Sequence, residues 1–394
     1  MTLLSHRVSG SNQSGVRQYN ERVIISLIRE HDALTKAEIA KATSLTPQTA
    51  TTIINRLCEQ GLLVANQKRR GERGQPSTPY RLNPEGAFSI GIKLGRASLD
   101  ILLMDFTGVV RARANHNYPF PIPSEIFSKI DLSINALLDS LTPDEQSRVI
   151  GVGLASPFGL EGWGEEFPEA KDTLSEWANI DILDEVSRRT HLEVSFLNDA
   201  SAACLAEIAF GNERNWSNLF YIYMGTFIGG GVVLDGKIWT GSRSNAGAIG
   251  SVPSMHNKQL IHHASLHQLD QQMQSLSLEF DFSNLNEIMD EDVWVLFTAW
   301  ADNAAPHIAN MIAAGSAFID PDGVIIDGRL PTLATAYLVE AINDAAQSVN
   351  WEGIEQPPVV AGHLGFEARA LGGALLPIYS NFGMDNQAFL KVSG

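Results

Sequence analysis

Three groups of residues in this 394-residue chain have types and spacings that could do chemistry. The first is Asn198–Asp199, which follows the apolar run LEVSFL and precedes the small-residue stretch ASAACLAEIAF. A carboxylate and an amide at the carboxyl end of a strand can hold adjacent hydroxyls of a sugar by charge-assisted and neutral hydrogen bonds. Asp199 can also cap the helix that follows, and the two roles are compatible. The second group is His256, His262, His263 and His267. Their spacing is irregular and brings no thiolate or carboxylate partner, so the expectation is a solvated loop with one imidazole facing a ligand, not a metal centre. The third is a donor-rich stretch from Thr46 to Arg56, followed at Lys68 by KRRGERGQP. Short polar side chains such as Gln48, Thr49, Thr52 and Asn55 suit base edges in a major groove. Arg69, Arg70 and Arg73 suit phosphates or a minor groove, and Gly71, Gly74 and Pro76 keep their turn narrow.

The elements that must position the third group are readable from periodicity. Val23, Ile24, Leu27 and Ile28 recur at helical spacing in RQYNERVIISLIREH. Thr35 and Glu38 form the signature of a capping box at the start of a second, two-turn helix. Thr46 caps a third helix with Pro47 at its first position and Gly61 at its stop. On that helix Ala50, Ile53, Ile54 and Leu57 share one face, and Gln48, Thr51, Thr52 and Asn55 share the other. Two extended segments then flank the basic turn, which is the sequence form of a wing. The expectation is a DNA-binding module over residues 1–82, with Thr46, Gln48, Thr49, Thr52, Asn55, Arg56, Arg69, Arg70, Arg73 and Gln75 at the nucleic-acid face.

Charge supports that division. The whole chain carries −17, yet residues 1–81 carry +6 and the remainder −23. A small basic module that meets a polyanion is attached to a larger body that does not. Two cysteines, Cys58 and Cys204, lie far apart and suggest a reducing, cytoplasmic setting. No apolar run approaches the ~18 residues of a membrane span, and the start of the chain is polar.

From residue 88 strands and helices alternate. FSIGIKLGRASLDILLMDFTGVV and LFYIYMGTFIGGGVVLDGKIWTG have the same strand–turn–strand form 130 residues apart. A repeat this long predicts duplicated α/β subdomains, expected at 83–198 (completed by 379–394) and 199–378, with a ligand cleft between them. Asn198 and Asp199 would face that cleft.

VSFLNDASAACLAEIAFG, MGTFIGGGVVLDGKIWTGSRSNAGAIGS and FIDPDGVIIDG resemble successive motifs of the ROK family. That family holds sugar kinases and sugar-responsive repressors on an actin-like ATPase fold, and the N-terminal winged helix-turn-helix resembles the repressor branch. The resemblance implies a role for Asp199 as the family's catalytic base or, in repressors, as a sugar ligand with Asn198. Departures from the family pattern matter. Lys93 and Ala97 stand where the first phosphate loop has Asp and Thr, and Phe227 replaces a glycine of the second. ATP is therefore not expected. Ala248 replaces a sugar-binding Glu and Ser251 a zinc-ligating His, and no cysteine follows, so the family's structural zinc is expected to be absent. His267 falls near another sugar-binding position.

The sequence thus predicts an α/β protein: a winged helix-turn-helix module followed by a duplicated actin-like body. Its expected function is DNA-binding transcriptional regulation, as a repressor and not an enzyme, with double-stranded operator DNA and a small carbohydrate as partners. Asn198, Asp199, Ser251 and His267 are the expected effector ligands. A homodimer or homotetramer is expected, since paired half-sites need paired modules. The rival expectations are a sugar kinase with an added DNA-binding module and a ligand-independent DNA-binding protein.

Overall fold

The computed structural model describes residues 13–67, 77–211, 214–254, 258–280, 282 and 288–383. The chain begins with α1 (Gln13–His31), a two-residue strand β1 (Leu34–Thr35), α2 (Lys36–Thr43) and α3 (Pro47–Glu59). The capping box forms as expected: Thr35 accepts from the Glu38 amide and Glu38 accepts from the Thr35 amide. Thr46 caps α3, Pro47 opens it, and Gly61 beyond its end takes φ +75°. Strands β2 (Leu63–Ala65) and β3 (Pro79–Leu82) pair antiparallel, and β1 adds to the other edge of β3; the basic segment between β2 and β3, residues 68–76, lies outside the described residues. Ile24, Ile28, Ile39, Ile54 and Leu57 close the module's core.

The first half of the body runs β4 (Phe88–Leu94), β5 (Ser98–Asp105), β6 (Val110–Asn117), α4 (Pro123–Asp139), α5 (Pro143–Gln146), β7 (Val149–Ser156), α6 (Lys171–Ser175), α7 (Ile182–Ser187) and β8 (Val194–Asn198). Helix α8 (Asp199–Phe210) leads to the second half: β9 (Leu219–Met224), β10 (Gly229–Leu234), β11 (Lys237–Ile238), α9 (Ile261–Ala264), α10 (Leu266–Ser275), α11 (Glu291–Ile319), β12 (Gly323–Gly328), α12 (Thr332–Ala346) and β13 (Val359–Ala361). The duplication read from the sequence is present in the topology. One sheet has the order β6-β5-β4-β7-β8 and the other β11-β10-β9-β12-β13. In each, the first strand pairs antiparallel with the second and parallel with the fourth. Central strands β4, β9 and β12 are buried along their whole length, which explains their near-continuous apolar runs.

The last helix, α13 (Ala368–Phe382), packs on β4 and β7 and against α8. Glycines make this close approach possible. A Cβ on Gly372 would lie 1.7 Å from the Ala202 carbonyl, and one on Gly153 would lie 1.9 Å from that of Gly373. This differs from the expected partition. The chain rejoins the first half at Ala368 and not at 379, because the small residues of α13 fit that sheet. Helix α8, expected in the second half, lies between the halves: Ala202, Leu205 and Ala206 join the core around Leu102 and Met104, while Ala200, Ala203 and Cys204 join that around Tyr221 and Val233. Residues 384–394 lie outside the described residues.

The module is not a separate bead. Its core is continuous with that of the first half through Phe106, Ala374 and Ile378. Arg29 of α1 sits 5.2 Å over the Phe106 ring, and Phe106 meets Phe382 edge-on at 4.8 Å. Arg22 donates to the carbonyls of Ser380 and Gly383 at 3.3 and 3.4 Å.

Candidate functional site

Two surfaces carry the residues singled out in the sequence. On the module, Gln48, Thr49, Thr52 and Asn55 are exposed on α3, opposite buried Ala50, Ile53, Ile54 and Leu57. Thr46 is committed to the cap: its hydroxyl accepts from the Thr49 amide at 3.2 Å and lies 2.8 Å from the Thr49 hydroxyl. Lys36 of α2 donates to Asn55 at 2.7 Å and lies 5.3 Å from the Tyr80 ring centroid, so a cation missed in the sequence stands beside the helix. Arg56 differs from its expected role. It lies on the flank facing α1 and pairs with Glu21 at 2.6 Å, so its charge is already matched inside the module. Arg69, Arg70, Arg73 and Gln75 lie outside the described residues.

In the body, a cleft of about 770 Å³ opens between the halves. Asn198, Asp199 and Ser251 line it, as expected from their positions. The side chain of Asn198 caps α8 by accepting from the Ala200 amide at 3.1 Å, and Asp199 accepts from the same amide at 3.0 Å. The other oxygen of Asp199 is paired with Arg369 of α13 at 3.1 Å. This partner was not foreseen, because nothing near position 369 in sequence marks it. The SRSNAGAIG segment adds Ser244 and Asn245 to the wall. Gly247 there has φ +84°, and a Cβ would lie 2.7 Å from the Gly230 carbonyl, so the loop can approach β10 only with glycine.

His267 is displaced from its expected place. It is buried in a neighbouring cavity of about 300 Å³ with Arg96, Glu166 and Asp270. The physical reason is Phe227, whose ring packs 5.6 Å from the imidazole, while Phe167 packs at 4.8 Å. Burial lowers the His267 pKa, opposed by Glu166 at 3.8 Å. The side chain that replaces a phosphate-loop glycine thus occupies the space between His267 and the cleft.

Lys93 answers the question of the missing carboxylate. It is buried beneath the β4–β5 turn and pairs with Asp100 at 3.0 Å, its register partner on the facing strand. Burial is the largest cause lowering its pKa to about 7, followed by the charge of Arg369, with Asp100 opposing. Asp100 is held below its ordinary pKa by Lys93 against the effect of burial. Asp199, which lines the cleft, and Asp100, which faces Lys93 across the ladder, are therefore each tied to a cation. This donor set does not fit a hydrated metal with its nucleotide. Nor does the segment after Ser251 fit structural zinc, since it lacks cysteine up to Met273. His263 stacks on His307 at 4.0 Å, and His256 lies outside the described residues. Among the described residues, no three His, Cys, Asp or Glu side chains gather as a metal centre. No helix among them is long and apolar enough to cross a membrane.

Comparison with known proteins places both parts. The ROK family model matches residues 89–378, and a model described as winged helix-turn-helix DNA-binding matches residues 17–64. An uncharacterised protein of Sinorhizobium fredii is 24% identical over 369 residues, 92% of this chain and 91% of its own. A putative xylose repressor of a Caldicellulosiruptor strain is 23% identical over 357 residues, 84% of this chain and 88% of its own. Among solved structures, a ROK family transcriptional regulator described as a homologue of the Escherichia coli MLC protein superposes with a TM-score of 0.69. At 19% identity over 96% of this chain and all of that one, it establishes the shared fold.

Proposed function

This chain belongs to the ROK family, and from that premise we propose that it is a DNA-binding transcriptional regulator, a repressor, whose cleft takes a carbohydrate that alters its grip on operator DNA. One observation carries the reading. Helix α13 places Arg369 in the cleft, against Asp199, and the Ser380 carbonyl against Arg22 of the DNA-binding module. A ligand that competes for Asp199 acts at one end of a continuous helix whose other end supports α1. An effector shifts the equilibrium only through such differential contacts. Asn198, Asp199 and Ser251, with Asn245, are the proposed sugar contacts. Gln48, Thr49, Thr52 and Asn55 are the proposed base-reading set, with Thr46 as cap and the wing arginines on phosphate. The regulator acts as a homodimer or homotetramer, so that paired modules span paired half-sites.

The family's kinase chemistry is not proposed. A general base must be free to accept a proton, whereas Asp199 is held by Arg369, and Lys93 stands at the metal side. The relative named as a putative xylose repressor supports the same choice.

The test is operator retention measured across a panel of sugars, with wild type and Asp199→Asn. A sugar should release wild-type protein, while the variant, with its tie to Arg369 weakened, should hold DNA less tightly without ligand and lose the response. A variant that responds at the same sugar concentration would place the effector elsewhere. Phosphoryl transfer from ATP to any sugar by the pure protein would restore the kinase reading.

A further inference from the structure

The bonds that α3 makes within the module decide what its exposed face can offer to DNA. The Thr52 hydroxyl donates to the Gln48 carbonyl at 3.0 Å, and the Thr46 and Thr49 hydroxyls are bonded to each other. Asn55 is bonded as well: the Lys36 ammonium donates to its Oδ1 at 2.7 Å. An ammonium has donors and no acceptor, so the amide turns its oxygen toward Lys36 and its NH2 away. The place of Lys36 is fixed by its neighbours. It opens α2 directly after Thr35, which closes the capping box with Glu38 and pairs with Pro79 in the β1–β3 ladder. Its ammonium also lies 5.3 Å from the ring centroid of Tyr80 on β3. The adjacent cation differs: Arg56 is matched by Glu21 at 2.6 Å, whereas Lys36 makes no ion pair among the described residues and spends its charge on Asn55.

We propose that Lys36 is a specificity-determining residue: by holding Oδ1 of Asn55 it leaves the pair with donors only, and the operator base read there is guanine, not adenine. The proposal rests on α3 as the base-reading helix and names the base. An asparagine reads adenine by accepting from N6 and donating to N7. Here the N6 amino group would have to approach an oxygen already bonded to an ammonium, and would meet its positive charge. Guanine presents two acceptors, O6 and N7, which suit the Asn55 NH2 and a remaining Lys36 proton together. Thymine presents one acceptor, and cytosine an amino donor. Gln48 gives only its backbone carbonyl to Thr52 and keeps both groups of its amide, so adenine stays open to it.

The experiment starts from a duplex selected out of a random pool by the full-length protein. Each position is then changed to the other base pairs, and binding is followed by fluorescence anisotropy. The position whose preference Asn55→Ala relaxes is the one that Asn55 reads. There, wild type should bind guanine about tenfold or more tightly than adenine. Lys36→Met frees Oδ1 and should bring adenine level with guanine or above it, while Lys36→Arg, which keeps a cationic donor, should keep guanine. Replacing that guanine with 7-deazaguanine, which lacks the N7 acceptor, should weaken wild-type binding about tenfold. A wild-type preference for any other base there, or an unchanged preference in Lys36→Met, would overturn the proposal and leave base reading by α3 intact. Equal weakening of every sequence by Lys36→Met, with a smaller salt slope, would make Lys36 a phosphate contact and overturn it too. Should Lys36→Met fail to fold, the 7-deazaguanine duplex decides, and unchanged wild-type binding to it overturns the proposal. No selected sequence, or no position relaxed by Asn55→Ala, would remove the base-reading role of Asn55 and the proposal with it.

Discussion

Lys93 and Asp100 face each other across the β4–β5 ladder, and their pairing decides what the first phosphate loop can do. Removing one partner of a buried pair strands the other, but replacing both with neutral groups is often neutral or stabilising. The double variant Lys93→Met, Asp100→Asn should therefore fold with stability equal to or about 1–3 kcal/mol above wild type, as read by urea titration. It should also flatten the pH dependence. Lys93 is depressed to about 7, below its unfolded value near 10.5, so between those values the unfolded chain binds more protons. Wild-type stability then gains from Lys93 as pH rises through this window, at up to about 1.4 kcal/mol per unit. Denaturation at pH 7 and pH 9 should show that gain in wild type and not in the double variant. At this scale the sequence was half legible. Lys93, Ala97, Phe227 and Ala248 are visible as departures because they fall inside recognisable motifs. Asp100 and Arg369, which answer Lys93 and Asp199, are not, because a long-range ion pair leaves no local pattern. His267 was placed wrongly for a related reason: the ring that covers it comes from residue 227.

Secondary structure was more legible, because caps and periodicity are local. Thr35 with Glu38, and Thr46 with Pro47 and Gly61, mark helix ends by chemistry that acts within four residues. The two hairpins repeat because each must cross the centre of a sheet. The two-residue β1 was missed, since so short a strand exists only through β3 beside it. The position of α13 was missed as well: its glycines matter through Ala202 and Gly153, distant in sequence. Two predictions belong to elements. Gly372→Ala should push α13 off α8 and cost about 1–3 kcal/mol in thermal unfolding; an unchanged melting temperature would show that the helices part freely. On α3, Gln48→Ala should weaken cognate DNA by about 1–3 kcal/mol if its contact is bidentate, and random DNA much less. Equal losses on both sequences, in a fluorescence titration, would assign Gln48 to the backbone.

For the whole molecule, the charge split between a +6 module and a −23 body keeps DNA on one side of the protein. Neutralising Arg69, Arg70 and Arg73 should reduce the slope of log affinity against log salt by about 0.9 for each phosphate left without its arginine. The same slope in wild type and variant would exclude the wing from the interface. The division into module and body was legible from that charge step; their union was not, because Phe106, Phe382 and Arg29 meet across the whole length of the chain. Phe382→Ala should lower the module's resistance to proteolysis along with the body's, at a cost of about 2 kcal/mol. This shared core also restricts descent by domain shuffling. A winged helix grafted onto another ROK body would bring Arg22 and Arg29 to a surface without their partners, and the recipient would need a matching final turn of α13. New operator specificity is therefore more accessible by changing the exposed face of α3, which touches nothing in the body, than by exchanging modules whole.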